Sequence, residues 1–142
     1  MPKIEDVLLF QIDQTSKVAK QYSNREFEKM QLDITVEQWV VLKIISESDD
    51  LSQRELAKRT FRDPASITRT IDLLQKKNYV RRKTIPDNRR RYNVILTPIG
   101  RKIINTHFNT IRKQRIKSTD GFTEQELYLL SAMLRRIREN MA

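Results

Sequence analysis

Apolar residues recur at helical spacing along most of the chain, so the sequence predicts a mainly helical protein. A first helix is predicted from residue 4 to about residue 30, with an apolar stripe that needs a partner surface. A second helix, from residue 36, is apolar nearly all round, so it should be the buried central helix with Trp39 in the core. A further helix follows Thr97, has Pro98 in its first position and runs to about Lys117.

The start of the last helix is marked by Thr123 and Glu126, which have the spacing of a capping box, as do Thr35 and Gln38 before the second helix. The apolar residues of the last helix alternate by three and four over two heptads. That is too short for an isolated coiled coil, but it suits packing against the first helix of a partner chain. The expected dimer interface consists of Ile4, Val7, Leu8, Leu127, Leu130, Leu134 and Ile137.

Residues 51–78 are predicted to form two short helices joined by a tight turn. Ser52 and Glu55 form a reciprocal capping box at the first helix, while Asp63 caps the second, with Pro64 in its first position. The inward positions of the second helix are Ile67, Ile71 and Leu74. Its outer face is small and hydroxylic near its start and has one arginine a turn later, as entry into the major groove of DNA requires: Pro64, Ala65, Ser66, Thr68 and Arg69. The alternative is an ordinary solvated helix face.

A basic β-hairpin is predicted after this helix pair. Residues 79–83 are extended, residues 84–91 form the turn, and residues 92–96 return with Tyr92, Val94 and Leu96 on one face. The turn carries the candidate DNA contacts Asn88, Arg89, Arg90 and Arg91. Adjacent arginines repel each other unless an anion lies between them, and an A·T-rich minor groove supplies a deep negative potential. The alternative is a solvated loop.

The charge distribution supports the interpretation of a nucleic-acid-binding protein. The 142-residue chain has a net charge of +10, and residues 51–100 hold 13 Lys and Arg against 4 Asp and Glu. A membrane surface would favour a basic amphipathic helix instead of a hairpin. The absence of cysteine and the single histidine, His107, argue against thiolate or His-rich metal sites and against cofactors. We see no transmembrane run, no signal peptide and no paired nucleophile and base, so we expect no enzyme and a cytoplasmic location.

These motifs resemble the multiple-antibiotic-resistance regulator (MarR) family of bacterial winged-helix transcription factors over roughly residues 34–104. The resemblance rests on the helix starts at residues 34–39 and 51–57, on residues 66–69, 74–77 and 80–82, and on Val94-Ile95-Leu96-Thr97-Pro98-Ile99-Gly100, which is similar to the V-x-L-T-x-x-G of the family. It implies a mainly α fold with a small β-hairpin wing. Residues 34–100 would form the winged helix-turn-helix lobe, and residues 1–33 and 101–142 the dimerisation helices.

The resemblance also implies a homodimer on a pseudo-palindromic operator in double-stranded DNA. Many members are repressors that a small phenolic or anionic ligand releases, bound between the dimerisation helices and the DNA-binding lobe. The expected contacts with the DNA backbone are Thr35, Ser52, Gln53, Arg54 and Lys77. The alternative function is a winged-helix architectural or interaction protein that binds DNA without an effector.

The sequence departs from the family pattern at two places. The wing motif D-x-R falls on Asn88-Arg89-Arg90, so Asn88 replaces the usual Asp; Arg90 is the best minor-groove candidate, with Arg89 or Arg91 as alternatives. Thr60-Phe61 occupies a turn that often has a small residue in the family. We expect Phe61 either to pack beneath the second helix of the pair or to fill part of the ligand crevice. The redox-sensing and zinc-sensing branches of the family do not fit this composition.

Overall fold

Helices make up most of the chain, and a small antiparallel sheet lies in its middle. The computed structural model describes residues 1–48, 50–86 and 88–142, and the side chains of all of these except residues 88–90. The helices are α1 (Leu8–Met30), α2 (Val36–Ser46), α3 (Gln53–Thr60), α4 (Pro64–Lys76), α5 (Pro98–Lys117) and α6 (Glu124–Met141), and the strands are β1 (Leu51–Ser52), β2 (Val80–Ile85) and β3 (Asn88–Leu96). The chain divides into two compact units, Met1–Phe108 and Asn109–Ala142, and the boundary falls within the sequence of α5. The prediction of a mainly α protein with a small β-hairpin is confirmed.

Local capping explains where the helices begin. The Gln38 N–H donates to Thr35 Oγ1, and the Thr35 N–H donates to Gln38 Oε1, both at 3.1 Å. Thr123 and Glu126 make the same reciprocal pair before α6. The Ser66 N–H donates to the Asp63 carboxylate at 3.0 Å before α4, and Pro64 is its first residue. These predicted helix starts are confirmed, because capping depends on neighbours three residues apart.

The core of the first unit lies between α2, α3, α4 and the sheet. Helix α2 is buried along most of its length, and Trp39 is 1% exposed. The fully buried side chains include Trp39, Leu42, Ile45, Leu56, Ile67, Ile71, Leu74, Val80 and Val94. The predicted inward face of α4 is therefore confirmed, and the outer face of α4 is left for other contacts.

The sheet has the strand order β1-β3-β2, so β3 is the central strand. Ser52 lies opposite Asn93 in the short β1 strand, which the sequence did not predict. Ser52 Oγ accepts from the Glu55 N–H at 3.1 Å, and the same hydroxyl donates to the Glu55 carboxylate at 3.2 Å. The prediction of a reciprocal box is wrong here, because the Glu55 side chain binds the hydroxyl and not the Ser52 N–H.

The hairpin differs from its predicted form. Thr84 and Ile85 belong to β2, and residues 88–91 belong to β3, so the predicted turn over residues 84–91 is wrong. The register changes at this end: Thr84 pairs with Tyr92, whereas Ile85 pairs with Asn88. The three arginines thus continue a strand through an irregular register. On the face that Tyr92 and Val94 share, Tyr92 is 43% exposed at the outer end of the hairpin, whereas Val94 is fully buried.

The N-terminal helix is shorter than predicted. Residues Ile4–Asp6 form one 3₁₀ turn, and Val7 is extended before α1 begins at Leu8. The Lys3 N–H donates to the Asp6 carboxylate, and Gln11 Nε2 donates to the Glu5 carbonyl at 2.8 Å. These local bonds replace helical ones, so the prediction of one continuous helix from residue 4 is wrong.

The beginning of α5 packs closely against the end of the α4–β2 connection. Asn78 has a left-handed φ of 64°, and the next residue, Tyr79, accepts from the Thr97 N–H at 3.1 Å through its carbonyl. Thr97 Oγ1 accepts from the Gly100 N–H at 3.0 Å and donates to the Asn78 carbonyl at 2.6 Å. A Cβ on Gly100 would overlap the Tyr79 carbonyl oxygen. Thr97 and Gly100 therefore fix the wing to α5.

Candidate nucleic-acid interface

Helix α4 presents a narrow N-terminal surface. Pro64, Ala65, Thr68 and Arg69 are exposed, while Ser66 is half-buried. A helix N-terminus with small side chains can approach base edges in the major groove without steric conflict. This is the profile that the sequence predicted for the outer face of α4.

Arg62, which the sequence analysis did not single out, binds the hydroxyl groups on one side of α4. Its Nη2 donates to Ser66 Oγ at 2.6 Å and to Thr70 Oγ1 at 2.8 Å. Its Nε donates to the same Ser66 oxygen at 3.1 Å. Ser66 and Thr70 lie four residues apart, so both hydroxyl groups are on one side of α4, shortly after Arg62. This spacing was the signal that could have indicated these contacts.

Arg82 of β2 connects the wing to both helices of the pair, and the sequence analysis missed it too. Its Nη1 lies 2.7 Å from the Asp72 carboxylate of α4, and its Nε donates to Gln53 Oε1 of α3 at 2.7 Å. Gln53 Nε2 in turn donates to Thr68 Oγ1 at 3.3 Å. The Arg82 side chain is 19% exposed, so this ion pair is less screened than a surface pair.

A cleft of about 210 Å³ opens where α3 begins beside β3. Its lining residues are Ser52, Gln53, Arg54, Arg91 and Tyr92. Three of the predicted backbone contacts and one predicted wing arginine are thereby brought together. The amide end of a helix and two guanidinium groups suit a phosphate group of the DNA backbone.

Two other predicted backbone contacts have roles within the fold. The Thr35 hydroxyl caps α2, and the Lys77 ammonium donates to the backbone carbonyl of Asp33. The Tyr79 hydroxyl donates to the Asp33 carboxylate at 2.7 Å. Burial, together with this hydrogen bond, raises the pKa of Tyr79 to about 12. These contacts hold the α1–α2 connection against the start of β2.

The remaining predictions concern the wing residues and Phe61. Arg91 is exposed, whereas Asp87 and the side chains of Asn88, Arg89 and Arg90 lie outside the described residues. Phe61 has a φ of 54° at the end of α3 and is 84% exposed. The expectation that Phe61 packs beneath α4 or fills a crevice is therefore wrong.

Comparison with known proteins shows similarity to one family. A family model described as the MarR family matches residues 34–92. The crystal structure of apo MarR from E. coli is 26% identical, with a TM-score of 0.73, and the match covers 96% of this chain and 98% of that one. The chain is similar to the MarR family over residues 34–92 and to MarR itself over nearly its whole length. Members of that family are transcription regulators and not enzymes.

Two more distant structures share the fold of this chain. The S. aureus MepR–DNA complex is 21% identical with a TM-score of 0.82, and the match covers 94% of this chain and 98% of that one. Bordetella bronchiseptica BpsR, described as regulated in its DNA binding by 6-hydroxynicotinic acid, is 19% identical with a TM-score of 0.86 and 97% coverage of both chains. Within residues 1–48, 50–86 and 88–142, no helix has the length and apolar character needed to cross a membrane.

Both predicted dimerisation regions have apolar side chains on the surface. Ile4, Val7 and Leu8 are exposed in the first unit. In the second unit Leu130 is exposed, and the other predicted seam residues are half-buried: Leu127, Leu134 and Ile137. Several more large apolar side chains of α6 are exposed: Tyr128, Leu129, Met133 and Met141.

A crevice of about 290 Å³ lies between α2 and α5 of the first unit. It is lined by Lys43, Ser46, Arg101, Ile104, Asn105 and Phe108. The Lys43 ammonium lies 5.1 Å from the centre of the Phe108 ring and 2.9 Å from the Glu47 carboxylate, and this hydrogen bond lowers the pKa of Glu47. The crevice therefore combines two cations with an aromatic ring.

Proposed function

We propose that this protein is a MarR-family regulator and acts as a homodimer that binds a pseudo-palindromic operator and represses transcription until a small-molecule effector releases it. Its place of action would be the cytoplasm, where the bacterial chromosome lies. One observation carries the DNA-binding part: Gln53 lines the cationic cleft and also bonds Thr68 of α4. The cleft therefore lies beside the outer face of α4 that carries Pro64, Ala65, Ser66, Thr68 and Arg69, which we call the reading surface. In DNA a backbone phosphate likewise lies beside the major groove.

In this proposal each element has one task on the duplex. Helix α4 enters the major groove with Pro64, Ala65, Ser66, Thr68 and Arg69. The start of α3 binds a phosphate through Ser52, Gln53 and Arg54. The wing residues Asn88–Arg91 reach the adjacent minor groove, where Arg90 is the first candidate for insertion.

The experiment that tests sequence recognition begins with selection of bound duplexes from a random pool. The affinity for the selected site and for its scrambled version is then measured by fluorescence anisotropy at several salt concentrations. A regulator should prefer its site by roughly a thousandfold or more at physiological salt. Equal affinities would favour the alternative function, an architectural protein that binds DNA without sequence preference or effector.

The dimer is proposed because the exposed apolar faces of α1 and α6 suit burial against a second copy. Replacing Leu130 and Leu134 by Asp should give monomers that bind the operator poorly, because two half-sites about one helical turn apart need two linked lobes. Sedimentation of this variant gives the oligomeric state, and Arg135→Ala on the same helix is the control. An intact dimer in the Asp variant would place the interface elsewhere.

The proposed effector is a small aromatic acid, bound in the crevice between α2 and α5. Its carboxylate would pair with Lys43 and Arg101, and its ring would lie against Phe108. The regulation of BpsR by 6-hydroxynicotinic acid supports this class of ligand. In the test, 6-hydroxynicotinic acid and benzoate are titrated into the protein–operator complex, with Arg101→Ala compared with its neighbour Lys102→Ala. The crevice would not be the effector site if the acids released both variants from the operator equally, or if they did not release the unmodified protein.

A further inference from the structure

The hydroxyl group of Thr68, at the centre of the reading surface of α4, is already engaged within the protein. It donates to the Pro64 carbonyl at 3.0 Å and accepts from Gln53 Nε2 at 3.3 Å. A hydroxyl has one hydrogen, so this donor is not available to a base while that bond persists. The γ-methyl group is the other branch of the side chain.

The Gln53 amide cannot easily turn away from Thr68, because Arg82 fixes its orientation. The Arg82 Nε–H donates at 2.7 Å, which requires the oxygen of the Gln53 amide on that side and leaves its NH₂ group toward Thr68. Arg82 is itself held by the Asp72 carboxylate at 2.7 Å. The contacts that run from Asp72 through Arg82 and Gln53 to Thr68 therefore determine whether the hydroxyl or the γ-methyl of Thr68 is available to DNA.

The oxygen of the second hydroxyl of this surface, on Ser66, is engaged by Arg62. Ser66 Oγ accepts two hydrogen bonds from Arg62, at 2.6 and 3.1 Å, and the residue is half-buried. Pro64 and Ala65, which are exposed, offer only apolar side-chain atoms. Of the exposed predicted contacts in the first two turns of α4, only Arg69 keeps a charged head group at the surface.

We infer that the first turns of α4 read the operator through apolar groups: the Pro64 ring, the Ala65 methyl and the Thr68 γ-methyl contact thymine 5-methyl groups in the major groove. The inference rests on the proposed sequence-specific function, and it specifies the operator: a half-site with thymines opposite these three residues. Arg69 has the charged head group in these turns, and guanine is the base whose major-groove edge suits an arginine.

The test replaces each thymine of the selected half-site in turn by deoxyuridine, which lacks only the 5-methyl group. The unmodified protein should lose about fourfold in affinity at each contacted thymine, as expected from about 0.8 kcal/mol per buried methyl. The slope of affinity against salt should stay unchanged, because no phosphate contact is lost. This scan uses the unmodified protein and does not depend on the folding of a variant.

Two variants of Thr68 then separate the methyl from the hydroxyl. Thr68→Val keeps the methyl and should retain both the affinity and the response to deoxyuridine. Thr68→Ser keeps the hydroxyl and should bind the thymine site about fourfold more weakly, with no further loss at the position that Thr68 contacts.

The outcomes distinguish this inference from the proposed function. If the unmodified protein shows no preference for any site, the proposed function fails and the inference fails with it. If it prefers its site but deoxyuridine changes no affinity by more than twofold, only the inference is overturned. It is likewise overturned if Thr68→Val loses the preference while Thr68→Ser keeps it, because the hydroxyl would then be the reading group.

Discussion

Replacing Gly100 by Ala should destabilise the protein, although Ala is the better helix former. Gly100 lies in the first turn of α5, where an added Cβ would overlap the Tyr79 carbonyl oxygen and lie 2.9 Å from Leu96 Cδ1. Helix propensity alone predicts a stabilisation of about 1 kcal/mol. The structure predicts a change of the opposite sign.

The magnitude follows from the two groups that must move. Overpacking a close contact costs typically 1–3 kcal/mol. Displacing the Tyr79 carbonyl also weakens its hydrogen bond from the Thr97 N–H, which contributes about 1 kcal/mol. After the gain in propensity is subtracted, the net loss in the free energy of unfolding is about 2 kcal/mol. For a chain of this length that corresponds to a fall of roughly 8 °C in Tm.

Thermal unfolding followed by circular dichroism at one fixed protein concentration measures this change, since the Tm of a dimer depends on concentration. Arg101→Ala, at the next and exposed position of α5, is the control and should change the stability by less than about 0.5 kcal/mol. A Gly100→Ala variant with a Tm equal to or above that of the unmodified protein would show that Gly100 does not pack closely against the Tyr79 carbonyl.

Three further predictions concern the interface and its support. Arg62→Ala should lower the free energy of unfolding by about 1–3 kcal/mol, because the buried Thr70 hydroxyl loses its donor. The control is Arg59→Ala, which removes an exposed ion pair with Glu47 and should cost less than about 1 kcal/mol; equal losses in urea unfolding would contradict the prediction. Arg90→Ala should reduce the slope of log affinity against log salt concentration by about 0.9, whereas the control Arg112→Ala should leave the slope unchanged. An unchanged slope for Arg90→Ala would show that Arg90 does not contact DNA. The pKa of Tyr79 is raised to about 12, from about 10 in the unfolded chain, so its stabilising effect is complete below pH 10 and is lost as the pH rises toward 12. Tyr79→Phe should therefore remove part of the fall in Tm at alkaline pH. The same dependence of Tm on pH in the variant and in the unmodified protein would refute this prediction.

Features that depend on near neighbours were predictable from the sequence. The caps at Thr35, Asp63 and Thr123 need only residues three positions away, and the inward face of α4 follows from helical spacing. The MarR resemblance then supplied the arrangement of these elements, which capping and periodicity alone do not determine.

Features that depend on distant residues were not predictable in this way. The contact between Arg82 and Gln53 joins positions 29 residues apart, and no local pattern indicates that these two side chains meet. The strand over residues 88–91 was mistaken for a turn because a run of polar residues has no alternation of apolar side chains to reveal it. The 3₁₀ turn before Val7 is held by hydrogen bonds of the Lys3 N–H and the Glu5 carbonyl to side chains, which the apolar stripe does not record.

The order of the sheet has a consequence for solubility. Strand β2 lies at an edge, opposite the short β1, and an uncovered edge can pair with the edge of another molecule. Arg81 and Lys83 are exposed on this strand, and their like charges oppose such pairing between two copies. The cations near the DNA-binding surface thus also protect the free protein from aggregation through its sheet.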